Sequence, residues 1–138
     1  MYNSENDVEI TVLVSESSWA WPLALKDIFR PRGVNILVAN RTAEFVNIIQ
    51  QKRIHVAIID MDSEQANGFA TVRLIRMGFP LLPCLVLKSQ INEMLLCKAL
   101  ELDIFSVLNK PVDMQVLQRQ LDRVFSKRYN SNIFAVER

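Results

Sequence analysis

Five stretches rich in β-branched and aliphatic residues run along this chain, and each is followed by a stretch with helical periodicity. Parallel strands need a crossover between them, most often a helix, so this alternation dictates a parallel sheet with helices on both faces. The strands agree with that arrangement. They carry near-continuous apolar runs instead of the polar–apolar alternation of a half-solvated sheet. Right-handed crossovers then leave few topologies.

The first strand is expected over Val8–Val14, ending in Ser15-Glu16-Ser17-Ser18. Ser17 or Ser18 can cap a helix with Trp21, Leu25, Ile28 and Phe29 on its apolar side, closed by Pro31 and Gly33. Trp19 falls on a different face of that helix, where it suits contact with a partner. Val34–Ala39 reads as the second strand. Thr42 can cap the next helix, whose buried stripe is Phe45, Val46, Ile48 and Ile49. The third strand is Ile54–Asp60, opened by His55 in a structural role. A helix over about Phe69–Met77, a strand over Pro83–Leu87 and a helix over Ile91–Leu102 follow, with Met94, Leu95 and Leu96 mostly in the core. Phe105–Leu108 gives the fifth strand. Asp113 caps the last helix, which buries Val116, Leu117, Leu121, Val124 and Phe125. Residues 1–7 are then a polar leading segment, 8–127 one domain, and 128–138 a polar tail. The tail's apolar patch, Ile133, Phe134 and Val136, either docks on a neighbour or stays disordered.

Composition narrows the function. A chain of 138 residues, half of them hydrophobic, suits one core, and no internal repeat or linker divides it. Sixteen basic and fifteen acidic residues leave a net charge of +1, which gives no electrostatic reason to expect nucleic acid or an anionic membrane as partner. No apolar run approaches the roughly 18–20 residues that span a bilayer. The polar start, Met-Tyr-Asn-Ser-Glu-Asn-Asp, is unlike a secretory signal, so a cytoplasmic location is expected. Cys84 and Cys97 lie in apolar stretches and the chain has a single histidine, so buried reduced thiols are expected rather than a disulfide or a zinc site.

Open parallel sheets bind ligands at the carboxyl ends of their strands, beside the point where strand order reverses. The residues arriving there are Ser15 and Glu16, Asp60, Lys88 and Ser89, and Asn109 and Lys110. Two carboxylates and two lysines thus converge on one rim. Asp60 is followed eight residues later by Gly68, in an Asn67-Gly68 pair, and Lys110 is followed directly by Pro111.

From about Ile10 to Phe125 this pattern resembles the receiver domain of two-component response regulators. The resemblance implies a flavodoxin-like (βα)5 fold with strand order 2-1-3-4-5. It makes Asp60 the phosphoacceptor, a carboxylate forming an acyl phosphate. It implies Mg²⁺ held by Ser15 and Glu16 at the two acidic positions, by Asp60, and by the backbone carbonyl of Asp62. Lys110 matches the lysine that contacts the phosphoryl group, and the peptide bond before Pro111 is expected to be cis. A histidine kinase, a phosphotransfer protein or another signalling protein is the implied partner. It would dock on the fourth helix, fifth strand and fifth helix, where Asn92, Glu93, Lys98, Glu101, Gln118 and Arg119 are exposed. The chain itself is expected to be a monomer or weak homodimer. Enzymatic activity would be limited to self-phosphorylation from a donor and autodephosphorylation. No DNA-binding output domain occurs within the 138 residues, so the chain is a stand-alone regulator or a receiver from a longer protein.

Four positions depart from the pattern. Ser15 replaces an acid, which predicts weaker Mg²⁺ binding. Lys88 stands where the family has the Thr or Ser of its switch, with Ser89 beside it. Val107 replaces the aromatic residue that follows that switch, and Ser63-Glu64 replaces Met-Pro. A lysine at 88 could pair with Asp60 and partly neutralise the site. The chain would then be a phosphorylation-independent receiver acting as a protein-binding module. A third reading takes Asp60-Met61-Asp62 as the Asp-x-Asp opening of a haloacid-dehalogenase-like phosphatase. Those enzymes carry the motif on their first strand and need a later acidic pair, and this chain has neither.

Overall fold

The computed structural model of the chain describes residues 9–15, 22–63 and 67–135. The leading segment, Glu16, the serine cap, Trp19, Trp21, Glu64 and Val136 lie outside the described residues. Strands and helices alternate as β1 (Ile10–Ser15), α1 (Pro22–Phe29), β2 (Val34–Ala39), α2 (Thr42–Gln51), β3 (Val56–Asp60), α3 (Gly68–Gly78), β4 (Cys84–Lys88), α4 (Glu93–Glu101), β5 (Ser106–Asn109) and α5 (Met114–Tyr129). All four strand pairings are parallel, in the order β2-β1-β3-β4-β5. The expected flavodoxin-like order is the one found.

Alternate residues of each inner strand feed two cores. Val12 and Val14, Ile58, and Leu85 and Leu87 face α1 and α5, packing on Leu25, Phe29, Leu117, Leu121 and Phe125. Leu13, Ala57 and Ile59, and Cys84 and Val86 face the other way, onto Phe45 and Ile49 of α2 and Val72 and Ile75 of α3. Both faces of the inner strands are therefore dry, which is why their sequence shows no polar alternation. Each fully buried aliphatic side chain contributes about 1.5–3 kcal/mol.

Side chains mark where the helices begin. Asn67 Oδ1 accepts the Ala70 N–H at 3.1 Å, Asn92 Oδ1 accepts the Leu95 N–H at 2.8 Å, and Asp113 caps α5 through the amides of Gln115 and Val116. Thr42 does not cap α2. Arg41 occupies that position, Glu44 accepts the Arg41 N–H at 3.2 Å, and the Thr42 hydroxyl pairs with that of Thr71 at 2.7 Å, tying α2 to α3.

Three further expectations are corrected by packing. Cys97 is exposed, and only Cys84 is buried. Met94 and Leu96 are also exposed, leaving Leu95 as the core residue of that triplet. The segment after Lys127 is no loose tail. Helix α5 continues to Tyr129, and Phe134 is fully buried against Phe29 and Phe125. Arg32 donates to the Ile133 carbonyl at 2.9 Å and covers the Phe134 ring. His55 is buried beside Phe125 and Tyr129, in the structural role expected of it.

Candidate functional site

The strand order reverses between β1 and β3, and the polar groups of the carboxyl rim gather beside that point. Asp60 is the last residue of β3. The four apolar residues before it bury the strand on both faces and hold the carboxylate at its end with only 3% of its surface exposed. Its N–H donates to Ser15 Oγ, at the end of β1, at 2.9 Å. The chain turns sharply after it, so the Asp62 N–H donates back to Asp60 Oδ1 at 2.9 Å. The start of α3 packs closely under this turn, and any side chain at Gly68 would have to displace the end of Met61. A Cβ on Gly68 would lie 2.3 Å from Met61 Sδ.

Two ammonium groups answer the two carboxylates. Lys110, following β5, lies 3.1 and 3.0 Å from Asp60 Oδ1 and Oδ2, and 3.3 Å from Asp62 Oδ2. Lys88, ending β4, lies 3.0 Å from Asp62 Oδ1. The Ser89 N–H donates to Asp62 Oδ2 at 2.8 Å. Burial pushes the Asp62 carboxyl up, but hydrogen bonds from Lys88, the Ser89 amide and Lys110 outweigh it and hold the group down at about 2. Burial pushes Lys110 down, and Asp60 and Asp62 more than offset it, so its ammonium is held above the usual range. The Lys110–Pro111 peptide is cis, as expected.

The fold brings most of the residues named from the sequence to one rim. Asp60, Lys88, Lys110, Ser15 and Ser89 meet, while Glu16 lies outside the described residues. Two points differ from expectation. The ion pair that Lys88 closes is with Asp62, not the anticipated one with Asp60. Asp62 enters through its side chain as the partner of both lysines, where the receiver resemblance assigned its carbonyl to the metal and the sequence offered its carboxylate as compensation for the acid lost at Ser15. The signal was present in Asp60-x-Asp62, but the reach of Lys88 depends on the turn after β3. Ser89 contributes its amide, which no side-chain pattern could announce.

Magnesium requires near-octahedral oxygen ligands at about 2.0–2.1 Å. Among the described residues no three His, Cys, Asp or Glu side chains gather at metal-binding spacing. Both Asp60 oxygens and both Asp62 oxygens are engaged by lysines or amides, and the Ser15 hydroxyl accepts the Asp60 amide. Among the described residues the oxygens of Asp60, Asp62 and Ser15 are thus already engaged, and Glu16, the other expected ligand, lies outside the described residues.

A family model for the response regulator receiver domain matches residues 12–122. The transcriptional regulatory protein ZraR of Escherichia coli (strain K12) is 22% identical over 117 residues, 85% of this chain and 26% of that protein. The chain therefore spans about a quarter of the curated relatives it matches. Among solved structures, a signal receiver domain of an HD domain-containing protein from Pseudomonas fluorescens Pf-5 superposes with a TM-score of 0.77 at 18% identity, covering 90% of this chain and 100% of that one. The Vibrio cholerae chemotaxis protein CheY4 gives a TM-score of 0.73 at 21% identity, covering 85% and 99%. At these identities the structural likeness speaks for the fold. No helix among the described residues is long and apolar enough to cross a membrane.

Proposed function

Since the chain belongs to the family of response regulator receiver domains, the signal-receiving modules of two-component systems, we propose that Asp60 is the residue that takes up a phosphoryl group. The observation that carries this reading is the pair formed by the buried Asp60 carboxylate and Lys110, whose ammonium bridges both oxygens at 3.0 and 3.1 Å. A carboxylate oxygen of Asp60 bonds to phosphorus as the donor's own bond to phosphorus breaks, and the leaving group departs with that electron pair. The negative charge that then gathers on the phosphoryl oxygens meets Lys110, a compact point charge already in place.

Receiver domains generally bind Mg²⁺ at the phosphorylation site. In this chain the second cation of the rim is Lys88, and it stands ready to share the charge with Lys110. Receiver domains interact with histidine kinases or other signalling proteins. The surface proposed for this contact is the α4–β5–α5 face. Met94 and Leu100, 75% and 82% exposed on α4, support it, because large apolar groups left in water favour a covering partner.

Incubation with acetyl phosphate followed by intact-mass measurement tests the assignment. One phosphoryl group should be added to the native protein, released by hydroxylamine as an acyl phosphate, and absent from Asp60→Asn. A protein that takes up no phosphoryl group, or takes it up equally well as Asp60→Asn, removes Asp60 from this role. The first of those results favours a receiver that binds its partner without phosphorylation, a reading supported by the closed ion-pair network of the rim.

A further inference from the structure

The ligands of Asp62 are unusual for a surface carboxylate. Two ammonium groups and a backbone N–H converge on its two oxygens, at 3.0, 3.3 and 2.8 Å. They arrive from the ends of two neighbouring strands, β4 and β5, whose register sets Lys88 opposite Asn109, one residue before Lys110. Two cations and an oriented amide around one point form an anion-binding cradle. Asp62 lies only two residues beyond Asp60, and its own N–H is bonded to Asp60 Oδ1 at 2.9 Å. The cradle therefore opens directly beside the Asp60 carboxylate.

We propose that the Asp62 carboxylate is a resident stand-in for a phosphoryl group, filling the cradle of Lys88, Lys110 and the Ser89 amide and holding it closed against phosphorylation of Asp60. The inference rests on Asp60 being the acceptor and concerns what that site must displace to react. When Asp60 gains a phosphoryl group, the rim gains negative charge while its two lysines are still shared with Asp62. The incoming group has to draw Lys88 and Lys110 away from that carboxylate. Lys88 is the residue positioned for this exchange. It is a long, flexible cation, a third of its side chain reaches solvent, and the carboxylate it now holds is itself tied through its N–H to Asp60 Oδ1. The lysine at 88 and the acid at 62 thus act as a pair, one gripping and one competing.

Asp62→Asn keeps the shape and removes the charge, so its rate of labelling at Asp60 by acetyl phosphate should rise about 1.5-fold to fivefold, the range expected from freeing a partly exposed ion pair. In that reaction an Asp60 oxygen bonds to phosphorus as the phosphorus–oxygen bond to acetate breaks, acetate leaving with the electron pair. Asp62→Ser should shift the rate in the same direction. Adding Lys88→Gln to Asp62→Asn should abolish the gain, because the released ammonium is its source. Equal or slower labelling of both Asp62 variants, with the native protein labelled at Asp60, overturns the stand-in role and leaves the acceptor assignment standing. A gain that persists in the double variant overturns it as well. If none of these proteins is labelled, the acceptor assignment falls and the stand-in role falls with it.

Discussion

Lys110 is shared by two carboxylates, and its replacement separates two effects that its position combines. In Lys110→Met the Asp60 carboxylate, almost wholly buried, loses the cation that bridges both its oxygens. Leaving a buried charged group without its partner costs about 3–5 kcal/mol, so the variant should unfold at lower urea concentration than the native protein. Phosphoryl uptake should fall further, by roughly a hundredfold, since the charge that develops in the transition state has lost a donor fixed in advance. Urea titration alongside acetyl phosphate labelling checks both. Labelling that survives in a folded Lys110→Met would remove that lysine from the chemistry. Asp60→Asn, by contrast, retains most of the shape and should stay folded while losing the label.

Between the elements, a single guanidinium does much of the fastening. Arg76, near the end of α3, donates to Leu82 O at 2.6 Å, to Leu102 O at 2.9 Å and to Asp103 O at 3.0 Å. It thereby joins α3 to the loop before β4 and to the carbonyls left unpaired at the end of α4. Asp103 there adopts a left-handed conformation, φ +54°, which aims its carbonyl at Arg76 and lets the chain turn into β5. Arg76→Ala should lower stability by about 2–3 kcal/mol, the scale of hydrogen bonds from a charged donor. Amide exchange should accelerate first at the end of α4, and uniform acceleration across all elements would contradict this role. The same α4 is capped by Asn92 and buries Leu95 and Ala99, while Met94, Leu96 and Leu100 stay in water. These exposed apolar groups therefore add little to folding.

At the scale of the whole molecule, the C-terminal segment closes the core. Phe134→Ala should cost about 3–5 kcal/mol, as for other large buried aromatics, and a chain ended at Lys127 should fail to show a cooperative unfolding transition. A stable, cooperative truncated protein would restore the shorter domain boundary. The same region makes stability depend on pH. His55 Nδ1 accepts the Thr11 N–H at 3.2 Å, and its carbonyl accepts from Tyr129. Burial first, then the nearby Arg53, lowers the His55 pKa below its usual 6.5. The unfolded chain thus binds more protons than the native one in the window below 6.5, so stability rises with pH there and declines as the medium is acidified. The urea midpoint should drop between about pH 7 and pH 5, and His55→Gln should flatten that slope. Asp62 acts in a lower window. Its depressed pKa contributes stability above about 4 that is lost as pH falls toward 2.

The order of strands and helices, the two faces of the sheet, the caps at Asp113 and the convergence of Asp60 with Lys110 were all written in local sequence. Periodicity and strand ends are short-range properties, and a doubly covered parallel sheet has only one rim where its strands finish. The tertiary structure decided what depends on distance between elements. Phe134 is apolar in a polar stretch, and only the cavity between α1 and α5 makes it core. Met94 and Leu96 look buried until α4 is seen to turn them outward. Lys88 selected Asp62 because the turn after β3 brings that carboxylate within reach of β4. Sequence spacing fixes which residues arrive at a rim, but which charge meets which is set by ångström-scale geometry, because Coulomb energy depends on separation and on the water left between the groups.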